Sequence, residues 1–474
     1  MKRTLRIFSS LLVASWLGAC SSTALRDPVS VNIPGQWSNA PKADNAATTR
    51  DLAHWWKGFE DPVLDDLVAR ALAANQDLKL AVARVREARA YQTVAESVLF
   101  PTVDATADVG RNKSFERLPK PTVGTTWNIG VAAAWEIDLF GGNRFEAQAA
   151  SAQTRASQEA RRAVQVGVLA EVATSYLELR GAQKQIDIVT ENIAVQRKQL
   201  QFLEARYRAG LSSELDIARQ QQLIHTSQAA LALLTNATAA LSHRIAVLLG
   251  KPASDLESLL ARPAPLPSTL PEIPGLLPSD LFAQRPDIRR AQAELTAAAA
   301  KLSSAKTDLF PKFVLSARGG RGALDLDPSP NAVGNIFALG LGVVQPLFNA
   351  GRIRANIEAA DARLSQVAAR YEKTYLTALE EVEDAFVAHT TARERREELT
   401  QAAQEAARAE HLAEEFYKRG ITDFLAVLDS ERVKLTAEDE RAKAETAVSV
   451  SMVSLYRAFG GGWTSADTAV AQEK

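Results

Sequence analysis

The feature that most constrains the fold is an internal repeat. Motifs from the first half of the chain recur in the second half in the same order, most of them 210 residues later. The recurring motifs are Leu99-Phe100-Pro101 with Leu309-Phe310-Pro311, Leu139-Phe140 with Leu347-Phe348, Tyr207 and Gly210 with Tyr417 and Gly420, and Leu249-Gly250 with Phe459-Gly460. The shared order predicts two copies of one structural unit. The Leu-Phe pair recurs after 208 residues, which predicts a shorter hairpin and then a longer helix in the second copy.

The repeat divides the 474-residue chain into predicted segments. A connector between the copies, residues 251–278, holds seven of the 19 prolines, and proline interrupts helices and central strands. The segments are a signal peptide (1–19), a lipid-anchored N-terminal segment (20–61), the first repeat (62–250), the connector (251–278), the second repeat (279–462) and a C-terminal tail (463–474).

The only cysteine, Cys20, follows a basic start, an apolar stretch over residues 7–17 and the small residues Gly18 and Ala19. This arrangement resembles a bacterial lipoprotein signal, in which cleavage leaves Cys20 as an acylated N-terminus carrying palmitate. More than one acyl chain would hold the protein stably at a membrane. Similarity to such lipoproteins also makes Ser21 a signal for outer-membrane sorting. A plain secretory signal is the alternative.

Within each copy the hydrophobic period changes from helical to strand-like and back. Residues 62–98 have helical spacing, after which Val103, Ala105, Ala107 and Val109 alternate with polar residues. Such alternation predicts β-hairpins over 99–140 and 309–348, each with one apolar and one polar face. Long helical hairpins with coiled-coil spacing are predicted over 143–249 and 352–459. Residues 352–419 contain no Gly or Pro, so one helix there would be roughly 100 Å long.

The predicted hairpins indicate how the chain meets a membrane. Beyond residue 20 no run of 18 or more apolar residues occurs, which argues on length against a spanning helix and leaves strands. Four strands cannot close a sheet, and an open edge is not tolerated in hydrocarbon. Three chains supplying about twelve strands make the smallest barrel with a useful channel. The fold class predicted is an α+β membrane protein that assembles as a homotrimer.

The sequence resembles the outer-membrane factor family, the TolC-like channels, and especially the OprM/NodT-type efflux lipoproteins. The duplication, the paired Leu-Phe-Pro strand starts, the run from Gln284 to Ile288 and the two Tyr-x-x-Gly turns carry this resemblance. It implies a homotrimer with a twelve-stranded barrel in the outer membrane and a periplasmic α-helical barrel. It also implies passive export of small molecules such as drugs, delivered by a periplasmic adaptor and an inner-membrane pump of the resistance-nodulation-division type.

The resemblance further implies a gate at the periplasmic helix tips. The matching residues are Tyr417, Leu425, Asp429 and Arg432. The last three share one helix face by their spacing, so three-fold symmetry would give an apolar constriction and a ring of carboxylates. A solvated helix face with an ordinary ion pair is the alternative. Two positions, Ala426 and Phe416, depart from relatives that have Asp and Arg there, so the closing contacts differ in detail.

The other hairpin tip is predicted to contact the adaptor. Tyr207, Gly210 and Asp216 lie on it, and Gly420 is the matching glycine of the second copy. The alternative is that the tyrosines pack helices and the glycines end them.

Composition and motifs point away from other classes of function. The formal net charge is -1, which gives no general attraction to nucleic acid. The five histidines lack metal-ligand spacing, and no catalytic constellation, cofactor site or metal site is predicted. The rival to a channel is a periplasmic coiled-coil lipoprotein that acts as a scaffold or adaptor without a pore.

Overall fold

The computed structural model describes residues 33–40, 52–114, 122–327 and 332–464. The predicted signal peptide, Cys20 and most of the C-terminal tail lie outside these ranges. The first copy consists of α1 (Pro62–Ala74), α2 (Gln76–Ser97), β1 (Thr102–Ser114), β2 (Thr122–Ile137), α3 (Gly142–Arg208) and α4 (Glu214–Leu248). The second copy consists of α5 (Pro286–Thr307), β3 (Lys312–Asp327), β4 (Ala332–Val344), α6 (Arg352–Lys418) and α7 (Phe424–Ala458). This order of elements confirms the predicted duplication of strand hairpins and long helical hairpins.

The repeat is also visible in the helix lengths. Helices α3 and α6 have 67 residues each, and α4 and α7 have 35 each. The prediction that the second copy has a longer helix is therefore wrong. The extra residues lie in the connection before α6, which covers 345–351, whereas the connection before α3 covers 138–141.

The helical segment at 62–98 is divided into α1 and α2 at Asn75, a break that the periodicity did not predict. Asn75 is extended (ψ 135°), and its side-chain oxygen accepts a hydrogen bond from Leu78 N at 3.0 Å. Its Nδ2 donates to the carbonyl oxygen of Leu248 at 2.8 Å, at the end of α4. Asn75 therefore starts α2 and satisfies a carbonyl at the end of another helix.

The four strands form one antiparallel sheet in the order β1-β2-β3-β4. The register pairs Ala105 with Val131, Trp135 with Leu315, and Leu315 with Leu341. Because directly paired residues lie on the same face of a sheet, the apolar positions of all four strands share one face, as their alternation predicted. That face is exposed in the chain, with Phe337 82% and Leu339 67% accessible.

One described helix, α4, is long and apolar enough by length and composition to cross a membrane, with a mean hydropathy of 1.3 over its best window. The earlier criterion, an uninterrupted run of 18 apolar residues, is therefore too strict. A segment can have a high mean hydropathy even when Ser, Thr and Asn interrupt its apolar residues. The N-terminal half of α4 packs on protein, since Gln220, Ile224 and Ser227 are buried.

The contacts divide the chain into two compact units, each containing residues of both copies. One unit includes 87–156 and 291–372 and contains the sheet. The other includes 33–86, 157–290 and the residues from 373 onward, and it contains both helix tips.

Candidate functional site

The two helix tips are built by the same local chemistry. At the end of α3, Gly210 has φ +74°, and Leu211 N donates to the Arg206 carbonyl at 2.8 Å. At the end of α6, Gly420 has φ +73°, and Ile421 N donates to the Phe416 carbonyl at 2.9 Å. Both glycines end their helices in the left-handed conformation that disfavours a side chain. Both glycines therefore end their helices, as the alternative to a purely adaptor-binding role predicted from the sequence.

The helices that return from the tips begin with side-chain caps. Ser213 and Asp216 form a reciprocal capping box at the start of α4, in which Ser213 N donates to the Asp216 carboxylate at 3.1 Å. Asp423 accepts a hydrogen bond from Ala426 N at 3.2 Å at the start of α7. Asp216 therefore stabilises the start of α4 as part of its capping box. A contact with an adaptor would be a second role.

A small apolar cluster holds the tip hairpins together. Its buried members are Leu203 of α3 and Phe424, Val427 and Leu428 of α7, with Ile217, Leu223, Ala413 and Tyr417 packed around them. The ring of Tyr417 lies 5.3 Å from that of Phe424, and the Arg206 guanidinium lies 5.1 Å from the Tyr417 ring centroid. Tyr417 therefore belongs to the packing between the hairpins.

Arg206 is a residue that the sequence prediction missed. Position 416, where the resemblance to the family led us to expect an Arg before the Tyr, is Phe in this chain. The structure brings a cation to the Tyr417 ring from α3 instead, across the hairpins. The sequence did contain a sign of this contact. In the first copy of the repeat, the residue directly before Tyr207 is an Arg, at the position that matches Phe416.

Three of the predicted gate residues lie together on the exposed face of α7. Leu425 is 48% exposed, and the Arg432 Nη2 to Asp429 Oδ1 distance is 3.4 Å. The side chains of this ion pair are 72% and 64% exposed, so the pair contributes at most about 1 kcal/mol. Tyr417 lies apart from this trio, in the apolar cluster. We refer to Leu425, Asp429 and Arg432 as the gate face.

The packed face of α7, which lies beside the gate face, buries a carboxylate that the sequence prediction also missed. Glu431 is 2% exposed, and neither of its carboxylate oxygens has a well-aligned hydrogen bond among the described residues. The amides of Gln196 and Gln199 lie near it and favour its charged form, but they do not offset its burial. Burial, and after it the charge of Glu410, raises the pKa of Glu431 to about 7. Its spacing could have predicted this burial. Glu431 follows Phe424 and Leu428 at steps of four and three residues, which places all three on one helix face.

Apolar residues are exposed at both tips. On the first tip Leu211 is 65% and Tyr207 46% exposed, and on the second Ile421 is 67% and Phe416 42% exposed. Exposed apolar side chains at the ends of helical hairpins are typical of surfaces that contact other proteins. No group of three or more possible metal ligands occurs within the residues that the structure covers.

An exposed apolar sheet face joined in one chain to paired helical hairpins defines a class of protein, the efflux channels of bacterial outer membranes. The chain belongs to the outer membrane efflux protein family, whose model matches residues 67–251 and 277–461. The two matched ranges correspond to the two copies of the repeat.

Curated relatives match along almost the whole chain. The pyoverdine export outer membrane protein OpmQ of Pseudomonas aeruginosa is 32% identical, over 98% of this chain and 98% of its own. The toluene efflux pump outer membrane protein TtgI of Pseudomonas putida is 30% identical, again over 98% of each chain.

Solved structures agree with the fold. The outer-membrane channel OprN superposes with a TM-score of 0.87 at 32% identity, covering 94% of this chain and 99% of that one. The open state of the MtrE outer membrane channel of Neisseria gonorrhoeae gives a TM-score of 0.80 at 25% identity, over 94% and 98%. The chain is an outer-membrane efflux channel protein, and the scaffold alternative leaves its apolar sheet unexplained.

Proposed function

We propose that three copies of this chain form the exit duct of a tripartite efflux system and that the duct is gated at the α7 tips. The observation that carries the proposal is the sheet of four strands with one exposed apolar face. Its outermost strands, β1 and β4, each have one edge without a partner strand within the described part of the chain. Backbone groups on such edges must be paired in hydrocarbon, so further strands have to come from sister copies.

Three copies are the smallest number that fits both requirements. They supply twelve strands, enough for a water-filled lumen, and each β1 edge meets the β4 edge of a neighbour. The apolar face then contacts lipid, and the face that carries Asp104, Asp108 and Asn128 lines the channel. The hydrogen bond from Asn128 Nδ2 to Asp108 Oδ1, 2.6 Å long, is typical of a face in contact with water.

The gate face supports closure of the duct at the helix tips. In a trimer, Leu425 from each copy makes an apolar constriction and Asp429 makes a ring of carboxylates that Arg432 partly neutralises. The exposure of all three residues in the single chain leaves them available for this contact. Tyr417, which packs on Arg206 and on Phe424 of α7, supports the position of the gate face from the buried side of that helix.

The relatives indicate the cargo and the partners. Their names describe pyoverdine export and toluene efflux, which are both transport of small molecules. We assign to this chain small-molecule cargo received from an inner-membrane pump of the resistance-nodulation-division type through a periplasmic adaptor. The exposed apolar residues at the tips, among them Tyr207 and Leu211, and the turns at Gly210 and Gly420 are the surface that the adaptor would contact.

Lipid on Cys20 completes the proposal as a second attachment to the outer membrane, alongside the strands. The duct itself performs no chemistry in this scheme, since transport through it is passive and the pump supplies the energy. No cofactor other than the covalent lipid is required.

Single-channel conductance in planar bilayers tests the gate. The ion pair within one helix is present in the open and the closed state, so only contacts between copies shift the gate. We take the closed trimer to add a contact between each Asp429 and the Arg432 of the next copy, which Asp429→Ala removes, at roughly 0.5 kcal/mol per copy and about 1.5 kcal/mol per trimer. That amount corresponds to a roughly tenfold rise in the ratio of open to closed channels. We expect the variant to spend more time open than the unsubstituted protein.

Glu405→Ala is the matched control, because Glu405 and Arg408 also form an exposed pair three residues apart, with side chains 75% and 73% exposed. It should leave conductance unchanged. Equal conductance of Asp429→Ala and Glu405→Ala would remove Asp429 from the gate, and failure of the unsubstituted protein to conduct would favour a scaffold.

A further inference from the structure

The tip hairpins bury a layer of polar side chains next to the gate face. Glu431 of α7, Gln196 of α3 and Gln220 of α4 are 2%, 0% and 0% exposed. Both polar atoms of the Gln196 side chain, the Gln220 Oε1 and both oxygens of Glu431 are buried without a well-aligned hydrogen bond among the described residues, although the amides of Gln196 and Gln199 are close enough to Glu431 to favour its charged form. We refer to these three residues and Gln199 as the polar layer.

The polar layer lies within the packing that fixes α7. Gln220 Nε2 donates to the Gln196 carbonyl at 3.0 Å and to Gln199 Oε1 at 3.1 Å, which ties α4 to α3. Glu431 follows Phe424 and Leu428, the α7 members of the apolar cluster, along the same buried face. Moving the gate face therefore disturbs the surroundings of Glu431.

The charges around Glu431 favour its neutral form. From α6, Glu410 adds a second negative charge, and its own partner is Lys434 of α7, with a Nζ to Oε2 distance of 3.6 Å. Lys434 and the amides of Gln196 and Gln199 act in the opposite direction, whereas α4 contributes the uncharged Gln220. An ionised carboxylate that is buried without enough hydrogen-bond donors raises the free energy of the packed tip. A protonated carboxyl group carries no charge and can donate a hydrogen bond to an amide oxygen of the polar layer.

We infer that Glu431 is a proton-operated latch: with a proton on its carboxyl group, α7 stays packed against α3 and α4, and loss of the proton loosens the packing that positions the gate face. The inference rests on the proposed gating at Leu425, Asp429 and Arg432. It means that two groups at the tip control opening of the gate: the carboxyl group of Glu431 and, separately, the ion pair of the gate face.

The direction with pH follows from linkage. Burial raises the pKa of Glu431 from 4.5 to about 7, so the packed tip binds the proton more tightly than a solvated tip does. Packing is favoured most at acid pH and is progressively weakened as pH rises from about 4.5 to about 7. Between pH 5.5 and 7.5 the ratio of packed to loosened tip falls roughly 20-fold per chain.

The experiment compares three proteins in planar bilayers at pH 5.5, 6.5 and 7.5: the unsubstituted chain, Glu431→Gln and Asp429→Asn. Gln has the shape of protonated Glu and cannot ionise, so Glu431→Gln should stay closed across the range and lose the 20-fold response. Asp429→Asn removes the carboxylate of the gate face and leaves Glu431 in place, so this variant should retain the pH response. A pH response in Glu431→Gln equal to that of the unsubstituted chain would overturn the inference.

A second measurement does not depend on conduction. In detergent, the thermal unfolding midpoint of the unsubstituted protein should fall between pH 5.5 and 7.5 relative to that of Glu431→Gln. Equal pH dependence of the two midpoints would also overturn the latch. If the midpoints differ as expected while neither protein conducts at any pH, the proposed channel function fails and the buried proton site stands.

Discussion

Gly181 in α3 offers a sharp test of the helix packing. A Cβ atom added there would lie 2.8 Å from Thr446 Cγ2 and 3.0 Å from Thr446 Cβ on α7, and nearer still to Thr446 Oγ1. Thr446 has little freedom to move away, because its hydroxyl donates to the Ala442 carbonyl at 3.0 Å and its side chain is β-branched. Gly181→Ala must therefore displace one helix from the other.

The matched control is Gly167→Ala in the same helix, where an added Cβ meets nothing within 4 Å. Both substitutions gain about 1 kcal/mol of helix propensity. Only Gly181→Ala also suffers overpacking, about 1–3 kcal/mol. We expect Gly167→Ala to be more stable than the unsubstituted chain and Gly181→Ala to be less stable than Gly167→Ala by about 1–3 kcal/mol.

The assay is thermal unfolding in detergent at one fixed scan rate, since large membrane assemblies rarely unfold reversibly. The double variant Gly181→Ala with Thr446→Ala removes the atoms that clash and should recover at least about 1 kcal/mol relative to the sum of the single changes. If Gly181→Ala and Gly167→Ala unfold at the same temperature, the close contact between α3 and α7 is refuted.

Two further predictions concern the ends of helices. Asp61→Ala removes the cap of α1, where Asp61 accepts from Val63 N at 2.8 Å, and leaves the Tyr176 hydroxyl without its 2.5 Å partner. The expected loss is about 2–4 kcal/mol of unfolding free energy. The control is Asp66→Ala in the same helix, which removes an exposed ion pair with Arg70 and should cost under about 0.5 kcal/mol. Equal losses would contradict the double role of Asp61. Gly420→Ala should lower stability by about 1–2 kcal/mol because of its positive φ, and Gly420→Asn by less, in the same unfolding assay. Equal effects of Ala and Asn would show that φ does not limit this turn.

The sheet could be predicted in detail from the sequence because strand periodicity is local. Alternation at Val103 to Val109 and at Phe337 to Val343 determines which residues share a face within one strand. The register, which pairs Leu315 with Leu341, then keeps the apolar residues of neighbouring strands on the same face. The ends of the long helices were predictable for a similar reason, since Gly210 and Gly420 are local stop signals. The break at Asn75 was not, because it depends on a carbonyl that lies 173 residues away in the sequence.

The candidate site was predictable only on its exposed side. The spacing of Leu425, Asp429 and Arg432 places them on one helix face, and the structure agrees. The contact between Arg206 and Tyr417 joins two hairpins, so neither local sequence contains it. Glu431 stands between a serine and an arginine in a run of polar residues, which favours a solvated position, yet tertiary packing buries it.

The central claim is that a sheet of four strands with two open edges seals only when sister chains complete it. Native mass spectrometry of the detergent-extracted protein measures this directly, because it counts chains, each of about 51.2 kDa for the full sequence. The account predicts three chains per particle. A particle of one chain that still conducts in bilayers would contradict it.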